Sequence, residues 1–417
     1  MEGYHGRILS LEDTYRKNMA KAGKKESIIK YKLAYTAVIL LVYLLGRSLP
    51  LYGIASTAYS RDVMDAEALM EQAISGDRYS LFALGISPYM IASILVQAAA
   101  ACRRAVSRDR ISPGKINRVM ILLTLLFSGV QAAFRVQELP FREMAEPVFL
   151  VKLLAWMEMV AGGMVILWLA GRNKKYGIGG QTALIYINIL DGLIQSIGGY
   201  TIRELLVPLG ISAVALVVMI VMESGEKRIP VQRISIHNIY ADKNYLAFKL
   251  NPVGVMPVMF ATAFLMLPRL ALAGLSYLFP ENEDIFWLQE NLAMTKPLGI
   301  GAYIVTLYLL TIGFAMILIS PGDMADQLLK SGDSLRDFHA GRDTRRYLVS
   351  SLIRISFFSA TVLSLCLGAP MLLQLKGGID RTLVMLPASV MMLTGIWYNL
   401  NQEYIVVKGY DAYRPFL

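Results

Sequence analysis

A charged side chain inside an apolar run is expensive in hydrocarbon and is rarely kept without a use. Such residues stand in or beside the long apolar runs of this chain, among them Lys152, Glu158, Asp191 and Arg354, with Arg269 near the end of its run. Lys152, Asp191 and Arg354 lie close enough to the ends of their runs for the polar head to reach the interface. Glu158 sits nearer the middle and is the candidate for a proton or ion site. It has no histidine and no second carboxylate near it in sequence, which argues against a proton relay. The three histidines, His5, His237 and His339, lie singly in polar segments, and Cys102 and Cys366 are far apart. No zinc spacing or disulfide framework can be made from them. No G-x-x-x-x-G-K-[ST] loop occurs, so nothing here cradles a nucleotide. With no nucleophile–base pair, metal set or cofactor motif, the chain reads as a non-enzyme. Any chemical energy it uses must come from a partner.

The elements that carry these residues are set by composition. Of 417 residues, 55% are hydrophobic and 17% charged, against roughly 25% charged in an ordinary soluble domain. The apolar residues fall in blocks of about 20, long enough to cross a ~30 Å hydrocarbon core. Ten spans are predicted, near 33–50, 81–101, 119–134, 148–170, 181–198, 205–222, 252–273, 299–320, 348–372 and 382–400. The fold class is therefore an all-α polytopic membrane protein. Lys and Arg number 29 in the segments on the side of the amino terminus and 9 in the opposite loops. The positive-inside rule then places both termini in the cytoplasm of a cell-membrane protein. In a membrane protein the formal charge of +10 is explained by such loops and implies no DNA partner. Residues 1–32 read as a retained basic segment without a cleavage site, and Ser10 to Ala22 as a surface helix against anionic lipid.

Ten spans divide as five and five, with halves at 33–198 and 199–400. An odd number per half forces opposite orientation, the arrangement of inverted-repeat transport proteins. Gly85 and Pro88 interrupt span 2, Gly254 and Pro257 span 7, and Pro387 span 10. Such breaks are tolerated where backbone faces protein or a water-filled path. A secondary transporter or flippase shares these features, but it would need polar groups converging at mid-membrane, and Glu158 is nearly alone.

Four stretches narrow the choice: FALGISPY (82–89), KYGIGG (175–180), EKRIPVQ (226–232) with FKLNPVGVMPVMFA (248–261), and SPGDMADQLLKSG (320–332). With the tail EYIVVKGYDAY (403–413), they resemble the SecY family of protein translocation channels, in order and over most of the chain from Ala34 to Tyr413. The resemblance implies a passive, gated channel that moves unfolded secretory polypeptides across the membrane, or membrane segments into it.

By that resemblance, Ala66, Glu67, Ala68, Leu69, Glu71, Gln72, Ala73 and Ile74, within the amphipathic stretch 66–76, form a plug; on their own they read as a loop helix. An apolar pore ring is implied at Ile86, Met90 and Ile94 in span 2, Tyr186 and Leu190 in span 5, Met256 and Met259 in span 7 and Ser389 in span 10. A register one residue later in span 5 would substitute Ile187. Such a ring blocks ions by dewetting. Gln97 and Gln131 are placed at a lateral gate between spans 2 and 3 and spans 7 and 8; otherwise they are helix–helix hydrogen bonds. Cytoplasmic loops 223–250 and 321–347 carry Lys227, Arg228, Arg233, Arg336, Arg342, Arg345 and Arg346, with His339 beside them. Basic loops follow from topology alone, and by resemblance they also dock a SecA-type ATPase or a ribosome. A SecE-like small membrane subunit is the remaining implied partner.

The chain departs from the family pattern in three places. His339 stands where the family has an arginine before span 9, the turn before span 5 reads Gly177 to Gln181, and Pro252 follows Asn251 where methionine is usual. With the shortened loop 223–250, these departures resemble an accessory channel serving a narrow client set.

Overall fold

The computed structural model describes residues 28–54, 79–93, 95–96, 99, 113–141, 147–197, 200–233, 245–279, 282–293, 296–335, 338–339, 341–375 and 383–413. The stretch 1–27, the plug segment 66–76, Ile94, Gln97, Cys102, His237 and Arg336 lie outside them.

The apolar blocks are helices, mostly longer than the blocks themselves. The first half holds α1 (Ile28–Ser48), helical backbone at 87–93, α2 (Pro113–Glu138), α3 (Val148–Tyr176) and α4 (Gly180–Ile197). The second holds α5 (Ile202–Ser224), strands β1 (Glu226–Arg233) and β2 (Tyr245–Lys249), and α6 (Met256–Leu278). After these come α7 (Glu283–Asn291), α8 (Pro297–Ile319), α9 (Pro321–Ser331), β3 (Asp333–Leu335), α10 (Arg342–Leu375) and α11 (Leu386–Tyr413). Seven of the described helices are long and apolar enough to cross a membrane. Pro387 was expected to interrupt its span; it falls instead in the first turn of α11, where the missing N–H is no loss.

Local chemistry explains the boundaries. Thr201 and Glu204 form a reciprocal capping box at the start of α5. Asn282 caps α7 by accepting from the Asp284 N–H at 3.2 Å. Between α3 and α4 the KYGIGG turn needs left-handed backbone at Gly179 and Gly180, with φ of 77° and 49°. Buried Asn173 holds this turn, donating to the carbonyls of Ile178 at 3.0 Å and Gly180 at 2.8 Å. Thr36 of α1 accepts from the Ile178 N–H at 2.8 Å, and Glu403 of α11 accepts from the Gly179 N–H at 2.9 Å.

The all-α expectation omitted a small antiparallel sheet of order β2-β1-β3. Its central strand pairs with β2 over Glu226 to Pro230 and with β3 over Val231 to Arg233. Pro230, which cannot donate to a ladder, falls where the pairing changes sides. The second basic segment, 321–347, is likewise no simple loop: it contains α9, β3 and the start of α10. The sheet therefore joins the two segments that the sequence presents as separate.

One end of the bundle gathers Thr36, the 173–180 turn, Glu403 and the sheet, since Lys249 Nζ lies 5.0 Å from the Tyr398 ring. α11 packs on α5 of its own half and on α1 and α4 of the other. The largest apolar cluster among the described residues runs through both halves, with two smaller ones beside it.

Candidate functional site

Two stretches, one in each half of the sequence, enter a helix in the same way. After α1, Leu51 N–H donates to Tyr79 O at 3.0 Å and Leu81 N–H to Leu49 O at 2.9 Å, a short antiparallel pairing. Gly85 then turns the chain at φ 52°, three residues before Pro88. After α5 comes the β1–β2 pairing, then Gly254 at φ 70°, three residues before Pro257. An added side chain is strained at such φ values, so each Gly-x-x-Pro is a fixed entry turn.

Several residues of the expected ring lie on these turns and the helices that follow, within one extended apolar cluster. Ile86 and Met90 are each 1% exposed, and Met259 is buried with them in the shared core. Tyr186 of α4 packs against that same cluster. Leu190 and Met256 do not join it; they are 39% and 38% exposed. Ser389 is half-buried and donates to Met385 O at 3.1 Å. Among the described residues the buried charged side chains are Arg47 and Glu223, both at helix ends. Glu158 accepts from the Tyr52 N–H at 3.0 Å, so it serves the segment after α1.

At the candidate gate, Gln131 of α2 is buried and donates through Nε2 to Ser87 Oγ at 3.3 Å. That bond runs within the first half. The contact between halves is made nearby by Phe134, whose ring lies 3.6 Å from the position of a Cβ at Gly274 of α6.

Lys227 and Arg228 are exposed on β1. The Arg228 guanidinium lies 4.7 Å from the Tyr245 ring and 3.6 Å from Glu226. Arg233 ends β1 opposite Asp333 of β3. Arg342, Arg345 and Arg346 are exposed in the first turns of α10. That helix has 34 residues, about 51 Å at 1.5 Å per residue, so it overreaches a ~30 Å hydrocarbon core. His339 is 97% exposed, 4.0 Å from Asp343. The basic groups thus stand on a sheet and a helix end.

Two polar clusters escaped the sequence. Glu223 has a side chain 1% exposed, accepts from Asn251 Nδ2 at 3.0 Å and lies 4.0 Å from Lys249 Nζ. Asn251 in turn accepts from Ser359 Oγ of α10 at 3.0 Å. Here α5, the entry turn and α10 meet. In the other half, Asp191 does not simply reach for the interface: Arg47 of α1 binds it at 2.6 Å. Arg47 stands near the end of the first apolar run, beside Ser48 and Pro50, where nothing nearby in the sequence points to a partner.

The family model described as SecY matches residues 80–400. Curated relatives include the accessory Sec system protein translocase subunit SecY2 of Streptococcus sanguinis, 30% identical over 405 residues, covering 94% of this chain and 99% of that one. The protein of the same name from Leuconostoc gelidum is 27% identical over 396 residues, covering 90% and 94%. Among solved structures, one titled as the structure of a protein conducting channel matches with a TM-score of 0.69 at 16% identity, covering 93% of this chain and 94% of the other. Sec61 in the canine ribosome-channel complex gives 0.64 at 16% identity, with the same coverage. The family model spans more than half of the chain and includes both entry turns and the sheet, and the chain belongs to the SecY family.

Proposed function

We propose that this chain is the channel subunit of an accessory-type protein translocation system. In this reading it has ten spans in two inverted halves of the cell membrane, with both termini cytoplasmic. The observation that carries it is the junction of the halves. Ile86, Met90 and Met259 belong to one apolar cluster that extends through both halves and Tyr186 packs against it, while among the described residues the buried charges stand at helix ends. A greasy waist excludes hydrated ions when closed and takes any polypeptide sequence when open, because it offers no specific partner. Two of the named ring residues are methionines, whose flexible thioethers adapt to passing side chains.

The finer assignments follow from this reading. Residues 66–74 plug the pore, Phe134 and Gly274 with Gln131 mark the lateral gate, and Leu190 and Met256 line the opening. The basic sheet and the α10 start dock a SecA-type ATPase, with a ribosome as the alternative, and a SecE-like helix clamps the halves. The names of the SecY2 relatives support the accessory role. Depleting the chain from cells that make it tests the function. Expected is intracellular retention of a narrow set of exported proteins, with bulk secretion unchanged. An unaltered set of exported proteins would overturn the assignment.

A further inference from the structure

α4 has two working faces. Tyr186 and Leu190 share one side, while Asn188 and Asp191, three apart, share another. The second side is tied to α1. Arg47, 5% exposed, donates to Asp191 Oδ2 at 2.6 Å and to Asn188 Oδ1 at 3.4 Å. Tyr43, one turn earlier and fully buried, donates to the same Oδ1 at 2.8 Å. The Tyr43 ring also stacks on Phe82 of the first entry turn, with centroids 5.7 Å apart and planes 12° from parallel. One face of α1 thus grips both the turn that positions Ile86 and the helix that positions Tyr186. The Nδ2 of Asn188 is buried without a hydrogen-bond partner. Such a buried unpaired donor costs free energy, so this grip is not fully satisfied in the closed arrangement.

We propose that Tyr43, Arg47, Asn188 and Asp191 form a latch that holds the first-half ring elements closed, and that it loosens when the ring widens. The inference rests on the channel reading above. These are positioning residues: they act on the ring through α4 and the entry turn.

The test is chloride leak through membrane vesicles from cells expressing the full chain, normalised to the amount of chain present. Arg47→Gln and Asp191→Asn are each expected to raise the leak on the order of tenfold, since each removes one side of the 2.6 Å ion pair that ties α1 to α4. The reciprocal pair, Arg47→Asp with Asp191→Arg, is expected to bring it back toward the unsubstituted level. Ile86→Ser, which wets the ring directly, serves as the open reference. If Ile86→Ser leaks and the latch variants stay at background, the latch is wrong and the channel stands. If Ile86→Ser is also silent, the pore assignment fails and takes the latch with it. Loss of protein without leak from the molecules that remain would reduce the four residues to packing. Should Arg47→Gln not accumulate, Tyr43→Phe removes a single hydroxyl and should give a smaller, few-fold rise.

Discussion

Glu223 offers the sharpest energetic test of the fold, because hydrogen bond and ion pair can be separated there. Its carboxylate is almost wholly buried and accepts from Asn251 at 3.0 Å, whereas Lys249 is 4.0 Å away and its side chain 40% exposed. A hydrogen bond to a buried charge contributes roughly 1.5–3 kcal/mol, and the orphaned Asn251 donor adds a desolvation cost of about 1–3 kcal/mol. A partly exposed ion pair is worth only ~0–1 kcal/mol. Glu223→Ala should therefore cost about 2.5–6 kcal/mol, Glu223→Gln, which keeps an acceptor, about 1 kcal/mol, and Lys249→Met less than ~1 kcal/mol. Equilibrium unfolding in mixed micelles, titrated with denaturing detergent, reads the differences. The chain Glu223–Asn251–Ser359 also predicts that Ser359→Ala and Glu223→Ala are non-additive, since both weaken the hold on Asn251. If Lys249→Met proves as costly as Glu223→Ala, attraction between charges holds the node and the reasoning fails.

Other outcomes follow from close contacts. In Gly162→Ala the new methyl would collide with the Leu81 carbonyl, which cannot rotate away, so a loss of roughly 1–3 kcal/mol or more is expected in the same titration. A Gly162→Ala protein as stable as the original would show that α3 does not press on the first entry turn. Asn173→Ala strips two hydrogen bonds from the KYGIGG turn and should cost about 2–4 kcal/mol, with a neutral result refuting its role as the turn's anchor. A short bifunctional crosslink between cysteines at Phe134 and Gly274 should block membrane insertion of a signal-bearing segment, because it ties α2 to α6. Unimpeded insertion through the crosslinked protein would place the lateral exit elsewhere.

The spans were legible because burial in lipid demands about 20 apolar residues in succession, a signal that survives in any single block. Helix ends were less so. α2 begins at Pro113 and α10 at Arg342, each several residues before its apolar block, since a polar turn can continue a helix into water. The sheet was hidden in a basic stretch, although Ile229 and Val231 are buried while Arg228, Pro230 and Gln232 are exposed, a period of two. Reading those cations as topology signals obscured the alternation. The entry turns were accessible, because Gly-x-x-Pro repeats in both halves of the sequence. Leu190 and Met256, read from the same helices, sit apart from the buried cluster. Arg47 and Asp191 are separated by 144 positions, and nothing local in either one's neighbourhood indicates the other. Glu223 looked like the first residue of a polar loop. Only the fold of that loop back to Asn251 shows it as buried.

The central claim is that a polypeptide passes where the two halves meet, through an apolar waist. Cysteines at Ile86 and at Met259, one from each half, test it against a secretory chain stalled in transit. The account predicts crosslinks from both positions to the same stalled segment, and none from a cysteine at Trp168, which is exposed on the outside of α3. Crosslinking from neither position during active export would contradict it.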